Sequence, residues 1–209
     1  MRFSNRADAG RRLADVLASE SLHDPLVLGL PRGGVPVAAE VASRLGAPLD
    51  VIVVRKIGFP GQPELAAGAV GEGGVVVWNR EALDAHGYGP EDFAAQVERE
   101  RGEVARRAAE FRRDQPPRPI DGLTAIVVDD GLATGATARA ACAVVRAHGA
   151  AKVVLAVPVA PAGWESRFST AADRCVCVYA PTRFSAVGQF YDDFDQTSNA
   201  EVVRLLSER

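Results

Sequence analysis

Short apolar runs alternate along this chain with longer segments in which apolar residues recur at helical spacing. Five of the runs are continuous and rich in Val, Ile and Leu, which is typical of strands buried on both faces. Strands that alternate with helices in this way predict an α/β fold, in which helices flank a mostly parallel, Rossmann-like sheet. The predicted strands span residues 26–30, 51–54, 125–128, 153–157 and 175–179, and the predicted helices span residues 7–20, 35–45 and 136–147.

Two segments depart from this alternation. Residues 58–74 are rich in glycine and contain two prolines, so we predict a mobile loop that runs into a hairpin. Residues 90–115 predict one long charged helix, with Pro90 in its first turn and Pro116 after its end. We interpret residues 79–118 as a helical insertion, which either covers one edge of the core or forms a dimer contact. Its arginine-rich part, residues 91–113, also carries acidic residues, which favours a solvated face over an RNA-binding patch.

Composition narrows the class of protein further. The chain has 209 residues, of which 47% are apolar and 24% charged, so we predict a single globular domain with a sizeable core. A formal net charge of −3 argues against a general nucleic-acid partner. No apolar run approaches the ~18 residues of a membrane span, and the polar first residues predict no signal peptide. The three cysteines fit buried thiols, and we expect a cytoplasmic protein.

The most informative stretch is AIVVDDGLATGATA at residues 125–138. A predicted strand ends in Asp129 and Asp130, and a turn of small residues then begins a helix. Small residues let backbone amides approach an anion, and the helix N-terminus adds its dipole, so the turn is a candidate phosphate site. The two carboxylates suit hydroxyl groups or Mg²⁺, and a phosphate beside a vicinal diol describes a ribose 5-phosphate. The alternative is a helix cap formed by Asp130 or Thr134, and a P-loop is excluded because no Gly-Lys-Ser/Thr sequence occurs.

Three motifs together resemble the type I phosphoribosyltransferases. Residues 125–138 resemble the phosphoribosyl-pyrophosphate motif of that family, and LPRGGVP at residues 30–36 is similar to the pyrophosphate loop of its xanthine-guanine enzymes. Val54-Arg55-Lys56, which leads into the Gly/Pro-rich loop, is similar to the adenine enzymes. The motifs follow three different predicted strands in the family's order, and the resemblance covers roughly residues 20–180. The chain looks like a bacterial group described as predicted phosphoribosyltransferases.

The resemblance implies a fold, an activity and a set of site residues. The fold is a single domain over residues 1–209, with a small hood that includes residues 181–209. The activity is transfer of ribose 5-phosphate from phosphoribosyl pyrophosphate to a nitrogenous acceptor, with Mg²⁺ as cofactor and release of pyrophosphate. The residues implied for pyrophosphate are Arg32, Gly33 and Gly34, and those for ribose 5-phosphate are Asp129, Asp130, Ala133, Thr134, Gly135, Ala136 and Thr137. The implied catalytic residues are Arg55, Lys56, Asp129 and Asp130, of which the two aspartates also hold Mg²⁺, directly or through water or substrate.

The acceptor is a nucleobase by resemblance, but its identity stays open. Ala133 stands where the 6-oxopurine enzymes have an aspartate, and Gly131 replaces a usual apolar residue. Aromatic residues cluster between residues 181 and 195, where they either stack on a base or only stabilise the hood. The candidate base-binding residues are Phe184, Phe190, Tyr191 and Asp193.

The resemblance also implies three properties beyond the site residues. Relatives are commonly homodimers, and in relatives the peptide bond equivalent to Pro31–Arg32 is often cis. The loop at residues 58–74 is expected to close over the site and exclude water. The alternative function is a regulator that senses phosphoribosyl pyrophosphate or nucleotides without turning them over. A third possibility is hydrolysis or pyrophosphorolysis of a nucleotide-like substrate.

Overall fold

A computed structural model describes residues 1–113 and 115–208, with side chains at all of these positions except 63 and 64. The helices are α1 (Arg6–Leu17), α2 (Gly34–Leu45), α3 (Arg80–His86), α4 (Ala94–Arg112), α5 (Ala136–Ala147) and α6 (Asn199–Ser207). The strands are β1 (Pro25–Gly29), β2 (Leu49–Val51), β3 (Val54–Phe59), β4 (Gln62–Gly71), β5 (Val76–Trp78), β6 (Thr124–Val128), β7 (Lys152–Val159) and β8 (Arg174–Tyr179). Short 3₁₀ turns lie at Glu72–Gly74, Pro90–Phe93, Trp164–Phe168 and Val187–Phe190.

A parallel sheet forms the centre of the described chain, with strand order β2-β1-β6-β7-β8. Alternate residues of each strand face opposite sides of the sheet, and both sides are covered. Helices α1 and α2 pack on one side against Val27, Ile126 and Val154, all fully buried. Helix α5 packs on the other side against Val127 and Leu155. The α/β fold predicted from continuous apolar runs is therefore confirmed.

A second, antiparallel sheet of order β3-β4-β5 corrects two of the predictions. The apolar run predicted as one strand at residues 51–54 divides, because β2 ends at Val51 and β3 begins at Val54 in the other sheet. The segment predicted as a mobile loop that runs into a hairpin is mostly strand, since β4 pairs antiparallel with β3 from Phe59–Gln62 to Val54–Gly71. Small residues allow close packing here: a Cβ on Gly71 would lie within 2.6 Å of a Val144 methyl carbon on α5.

The long charged helix begins four residues later than predicted. Residues Pro90–Phe93 form a 3₁₀ turn, and α4 then runs from Ala94 to Arg112. Its buried apolar residues pack against the small sheet. On its exposed side, Arg106 pairs with Glu103 at 2.9 Å and with Glu110 at 3.1 Å. These intrahelical pairs fit the predicted solvated face.

The two ends of the chain meet beside the parallel sheet. Phe3 lies next to Tyr191 in a parallel bridge, with the Phe3 amide donating to the Phe190 carbonyl at 2.8 Å. The amides of Asp192 and Asp193 donate to the carbonyls of Phe3 and Ser4. We call residues 2–6 and 190–195 together the terminal clamp. Within the described residues, no helix is both long enough and apolar enough to cross a membrane.

Candidate active site

The connections of the parallel sheet place a crevice between β1 and β6. After β1 the chain moves to β2 on one side, whereas β6 leads to β7 and β8 on the other side. In parallel α/β sheets, ligands bind outside the carboxyl ends of the strands at such a switch point. The loop after β1 carries the Arg32-Gly33-Gly34 motif, and the loop after β6 carries Asp129 and Asp130. The fold therefore brings the two motifs to one edge of the sheet.

The glycines of the first loop touch the acidic residues of the second. A Cβ on Gly34 would lie 2.5 Å from the Val128 carbonyl oxygen and 2.9 Å from the Asp129 Cα. A Cβ on Gly33 would collide with the Asp130 carboxylate. Only glycine fits a backbone approach this close. The Pro31–Arg32 peptide bond is cis, as the sequence resemblance implies. The Arg32 guanidinium points toward α6, where its Nη1 lies 3.4 Å from Oδ1 of Asn199.

The two carboxylates are held by different partners. Asp129 Oδ1 accepts a hydrogen bond of 2.9 Å from the Asp130 amide. Asp130 Oδ2 accepts one of 2.8 Å from Nε of Arg6, a residue of α1. Burial and the neighbouring charge of Asp130 raise the pKa of Asp129 well above its ordinary value. Burial also raises the pKa of Asp130, although the Arg6 guanidinium opposes that rise. Ionising both carboxyls is therefore costly here, and a cation or a hydrogen-bond donor bound between them would offset that cost.

The turn after the carboxylates presents the N-terminus of α5. Gly135 caps the helix with φ +75°, a conformation that glycine adopts without strain, and the Phe168 ring lies against its Cα. Arg139 is the first residue of α5 whose amide reaches a carbonyl of this turn, that of Gly135 at 2.9 Å. The amides before it have no intrahelical acceptor and carry the positive end of the helix dipole. Ala133, Thr134 and Thr137 are exposed, so an anion can reach this end of the helix.

Arg55 and Lys56 lie on opposite faces of the small sheet, because neighbouring residues of a strand alternate. Arg55 faces α4, where its Nε donates to Glu100 at 3.0 Å. Lys56 shares the other face with Val54, which packs against the α5 side of the core. The two cations therefore cannot act as one unit, and Lys56 is the one on the side of the phosphate turn.

A profile of the phosphoribosyl transferase domain matches residues 3–195 of this chain. The chain belongs to the phosphoribosyl transferase family. Two Mycobacterium tuberculosis proteins, from strains CDC 1551 and H37Rv, carry phosphoribosyl transferase as a provisional name. Each is 54% identical over 204 residues, which is 98% of this chain and 46% of the relative. The chain thus spans less than half the length of these relatives.

Two solved structures share this fold. The crystal structure of TT1426 from Thermus thermophilus is 45% identical and has a TM-score of 0.91, covering 100% of this chain and 99% of that one. A structure of AQ2163 from Aquifex aeolicus, at 11% identity and a TM-score of 0.52, shares the fold over 88% of this chain and 78% of that one. Together with the domain match, the parallel sheet and the separate small sheet confirm the type I phosphoribosyltransferase fold that the sequence resemblance implies.

The aromatic residues near the C-terminus of this phosphoribosyl transferase domain pack mainly on one another. Phe190 and Tyr191 are buried in a cluster with Phe3. The Phe184 ring is partly buried, 5.3 Å from the ring of Phe190. Asp193 is exposed, and its Oδ1 accepts from the Asp195 amide within the same segment. Of the four candidate base-binding residues, only Phe184 and Asp193 keep appreciable exposure.

Two contacts at the site were not predicted from the sequence. Arg6 binds Asp130 across 124 positions, and the Tyr191 hydroxyl donates to the Asp130 carbonyl oxygen at 2.6 Å. Burial raises the pKa of Tyr191, so the phenol stays a donor at neutral pH. From the sequence, Tyr191 was considered only as a ring that stacks on a base. Arg6 was not singled out, because it is one of several charged residues at the start of a predicted helix. No local spacing connects either residue to the β6 loop.

Proposed function

We propose that this domain transfers ribose 5-phosphate from phosphoribosyl pyrophosphate to a nitrogenous acceptor of the nucleobase class, releasing pyrophosphate. The observation that carries the proposal is the meeting of three groups at one sheet edge. These groups are the Arg32-Gly33-Gly34 loop, the Asp129–Asp130 pair and the N-terminus of α5. Their chemistries match the three parts of such a donor, which are a pyrophosphate, a sugar diol and a terminal phosphate.

Each part of the donor has a proposed partner. Pyrophosphate binds at the loop after β1, through backbone amides and the planar donor fork of Arg32. The ribose hydroxyls donate to Asp129 and Asp130, because an ionised carboxylate only accepts hydrogen bonds and so pairs with a donor. The 5-phosphate binds at the start of α5, where the helix dipole and the amides of the turn favour an anion. The residues of this turn are Ala133, Thr134, Gly135, Ala136 and Thr137.

The acidic pair also fits the Mg²⁺ that family members use with this donor. Its oxygens are hard ligands, and burial beside one another makes a cation favourable there. No cluster of three or more His, Cys, Asp or Glu side chains suited to a metal occurs in the described residues. Mg²⁺ commonly binds through one or two carboxylates together with substrate phosphates, which is the arrangement that Asp129 and Asp130 permit. The bound ion would neutralise charge on the pyrophosphate.

The reaction we propose is a displacement at the anomeric carbon. A nitrogen lone pair of the acceptor forms the new bond to C1 as the bond from C1 to the pyrophosphate oxygen breaks, and the electron pair leaves with pyrophosphate. The protein contributes by holding both reactants and by stabilising the charge that develops on the leaving group. Lys56 is the proposed partner for that charge because it lies on the α5 face of the small sheet, whereas Arg55 lies on the face toward α4.

A screen for pyrophosphate release tests the proposed function. The chain is incubated with phosphoribosyl pyrophosphate, Mg²⁺ and a panel of nucleobases and aromatic amines, with the Asp129→Asn/Asp130→Asn variant as the matched control. We expect release that requires at least one acceptor and disappears in the variant. Donor binding without release for any acceptor would contradict a transferase and support a sensor of the donor. We also propose that the protein is cytoplasmic and forms a homodimer. Size-exclusion chromatography with light scattering tests the oligomeric state.

A further inference from the structure

Arg6 connects the terminal clamp to the candidate sugar site. Its Nε lies 2.8 Å from Asp130 Oδ2, and its Nη1 donates to the carbonyl oxygen of Asp195 at 2.6 Å. Its guanidinium carbon lies 4.1 Å from the centre of the Phe194 ring. The Arg6 and Asp130 side chains are only 13% and 15% exposed. Three independent contacts thus fix one guanidinium in a largely buried position.

This arrangement fixes the orientation of the Asp130 carboxylate by binding one of its two oxygens. Oδ2 is occupied by Arg6, and the Asp130 carbonyl is fixed separately by the Tyr191 hydroxyl. Among the described residues, Arg6 is the side chain that donates to this carboxylate, and it binds Oδ2, which leaves Oδ1 directed to a ligand donor. Gly33 lies against the same pair, with the position of a Cβ only 3.3 Å from Arg6 Nε. A planar guanidinium held by a stacked ring is well suited to fix a carboxylate, because its donors cannot rotate independently.

We infer that Arg6 is a positioning residue that holds Asp130 with one carboxylate oxygen directed to a sugar hydroxyl. This inference rests on the proposed function and adds to it a role for the N-terminal helix. The guanidinium does not touch the reacting atoms, and it acts only through Asp130. Recognition of the ribose diol then depends on a residue outside the three family motifs.

The opposite interpretation is that Arg6 occupies the carboxylate and has to leave before the sugar binds. The two interpretations predict opposite signs. If Arg6 positions Asp130, removing it weakens binding of the sugar hydroxyl, whereas if Arg6 blocks Asp130, removing it strengthens that binding. The closeness of Gly33 favours positioning, because the pyrophosphate loop leaves little room for the guanidinium to move.

The test compares ribose 5-phosphate with its 2-deoxy and 3-deoxy analogues by isothermal titration calorimetry. We expect the unmodified chain to bind at least one deoxy analogue roughly tenfold or more weakly, as loss of a hydrogen bond to a charged group predicts. Arg6→Gln should lose most of that discrimination, and Arg6→Lys should recover part of it because it keeps a charged donor. Phe194→Leu, which removes only the stacked ring, should give a smaller loss in the same direction.

Arg12→Gln is the matched control. Arg12 also lies in α1, pairs with Asp8 at 2.9 Å and lies 5.5 Å from the centre of the Phe3 ring, but it does not contact Asp130. It should keep full discrimination. Discrimination that is unchanged in Arg6→Gln, or tighter binding of ribose 5-phosphate by that variant, overturns the inference and leaves the proposed function intact. Failure of the unmodified chain to bind ribose 5-phosphate and phosphoribosyl pyrophosphate overturns the proposed function and the inference together.

Discussion

Replacing Arg112 with methionine removes the cation from a buried network that joins α4 to both sheets. Arg112 Nε binds Asp50 Oδ1 of β2, and its Nη1 binds Glu72 Oε2 beyond β4, both at 2.7 Å. A third bond of 2.8 Å runs from Nη2 to the carbonyl oxygen of Val51. The side chains of Arg112, Asp50 and Glu72 are 7%, 6% and 10% exposed. Two carboxylates are left without their cation in the variant.

The expected loss of stability follows from that burial. Breaking a buried ion pair by removing one partner costs about 3–5 kcal/mol, because the remaining charge stays desolvated. The carboxylates keep the backbone donors of Val51 and Val53, which should hold the loss within that range. For a chain of this size each kcal/mol lowers the melting temperature by ~2–4 °C, so Arg112→Met should melt about 6–20 °C lower. Differential scanning calorimetry and urea unfolding measure the two quantities.

Arg106→Met provides a control on the same helix. Arg106 makes as many ion pairs as Arg112, but its side chain is 60% exposed, and exposed pairs contribute little. Its melting temperature should stay close to that of the unmodified chain. If Arg112→Met is no less stable than Arg106→Met, the network does not stabilise the attachment of α4, and the argument from burial is wrong.

Four further predictions concern the candidate site and one buried thiol. Asp129→Asn with Asp130→Asn should abolish pyrophosphate release in the steady-state assay while the circular dichroism spectrum persists. Since the pKa of Asp129 is raised from its ordinary 3.8, the contribution of this group to the free energy of unfolding falls as the pH rises above about 4. Asp129→Asn alone should therefore melt higher than the unmodified chain at pH 7 in metal-free buffer, by a margin that shrinks toward pH 4. Lys56→Ala should lower kcat more than it raises the donor KM, whereas Arg55→Ala should have the smaller effect on kcat, and equal effects would contradict the assignment by strand face. Burial raises the pKa of Cys142 to about 12, so iodoacetamide at pH 8 should leave it unmodified until the chain unfolds, as peptide mass spectrometry can show.

The sequence predicts the parallel sheet well because its strands are buried on both faces. The helix predicted at residues 136–147 coincides with α5. The strand predicted at 125–128 begins one residue later than β6 and ends at the same residue. The hairpin of the small sheet was predicted only after a mobile loop, because the interior residues are small and glycine indicated a loop where it allows close packing. The interruption between β2 and β3, at Ile52 and Val53, was also not predicted, because burial gives these residues the same apolar character as the strands. Both residues are buried, at 2% and 3% exposure, and the apolar pattern runs through them without interruption.

Site residues that are close together in the sequence could be predicted from it. Site residues that come together only through the fold could not. The Gly33, Gly34 and Asp130 motifs lie in short loops directly after β1 and β6, so the sheet order alone brings them together. Arg6 and Tyr191 reach the same place from opposite ends of the chain, through contacts that depend on how the terminal clamp closes. A local pattern carries no information on such a closure.

Gly131 stands where an apolar residue is usual, and the packing around it explains why. A side chain there would clash, since a Cβ would lie 2.5 Å from a Val187 methyl carbon and 3.0 Å from one of Val159. The glycine is therefore required by the C-terminal segment that crosses the β6 loop, and its presence says little about which base is bound. The same segment places the Tyr191 ring 4.8 Å from that of Phe194, whose ring also stacks with Arg6. Since these ring faces are already in contact, an acceptor bound in this region would be recognised through polar edges and exposed side chains more than through stacking.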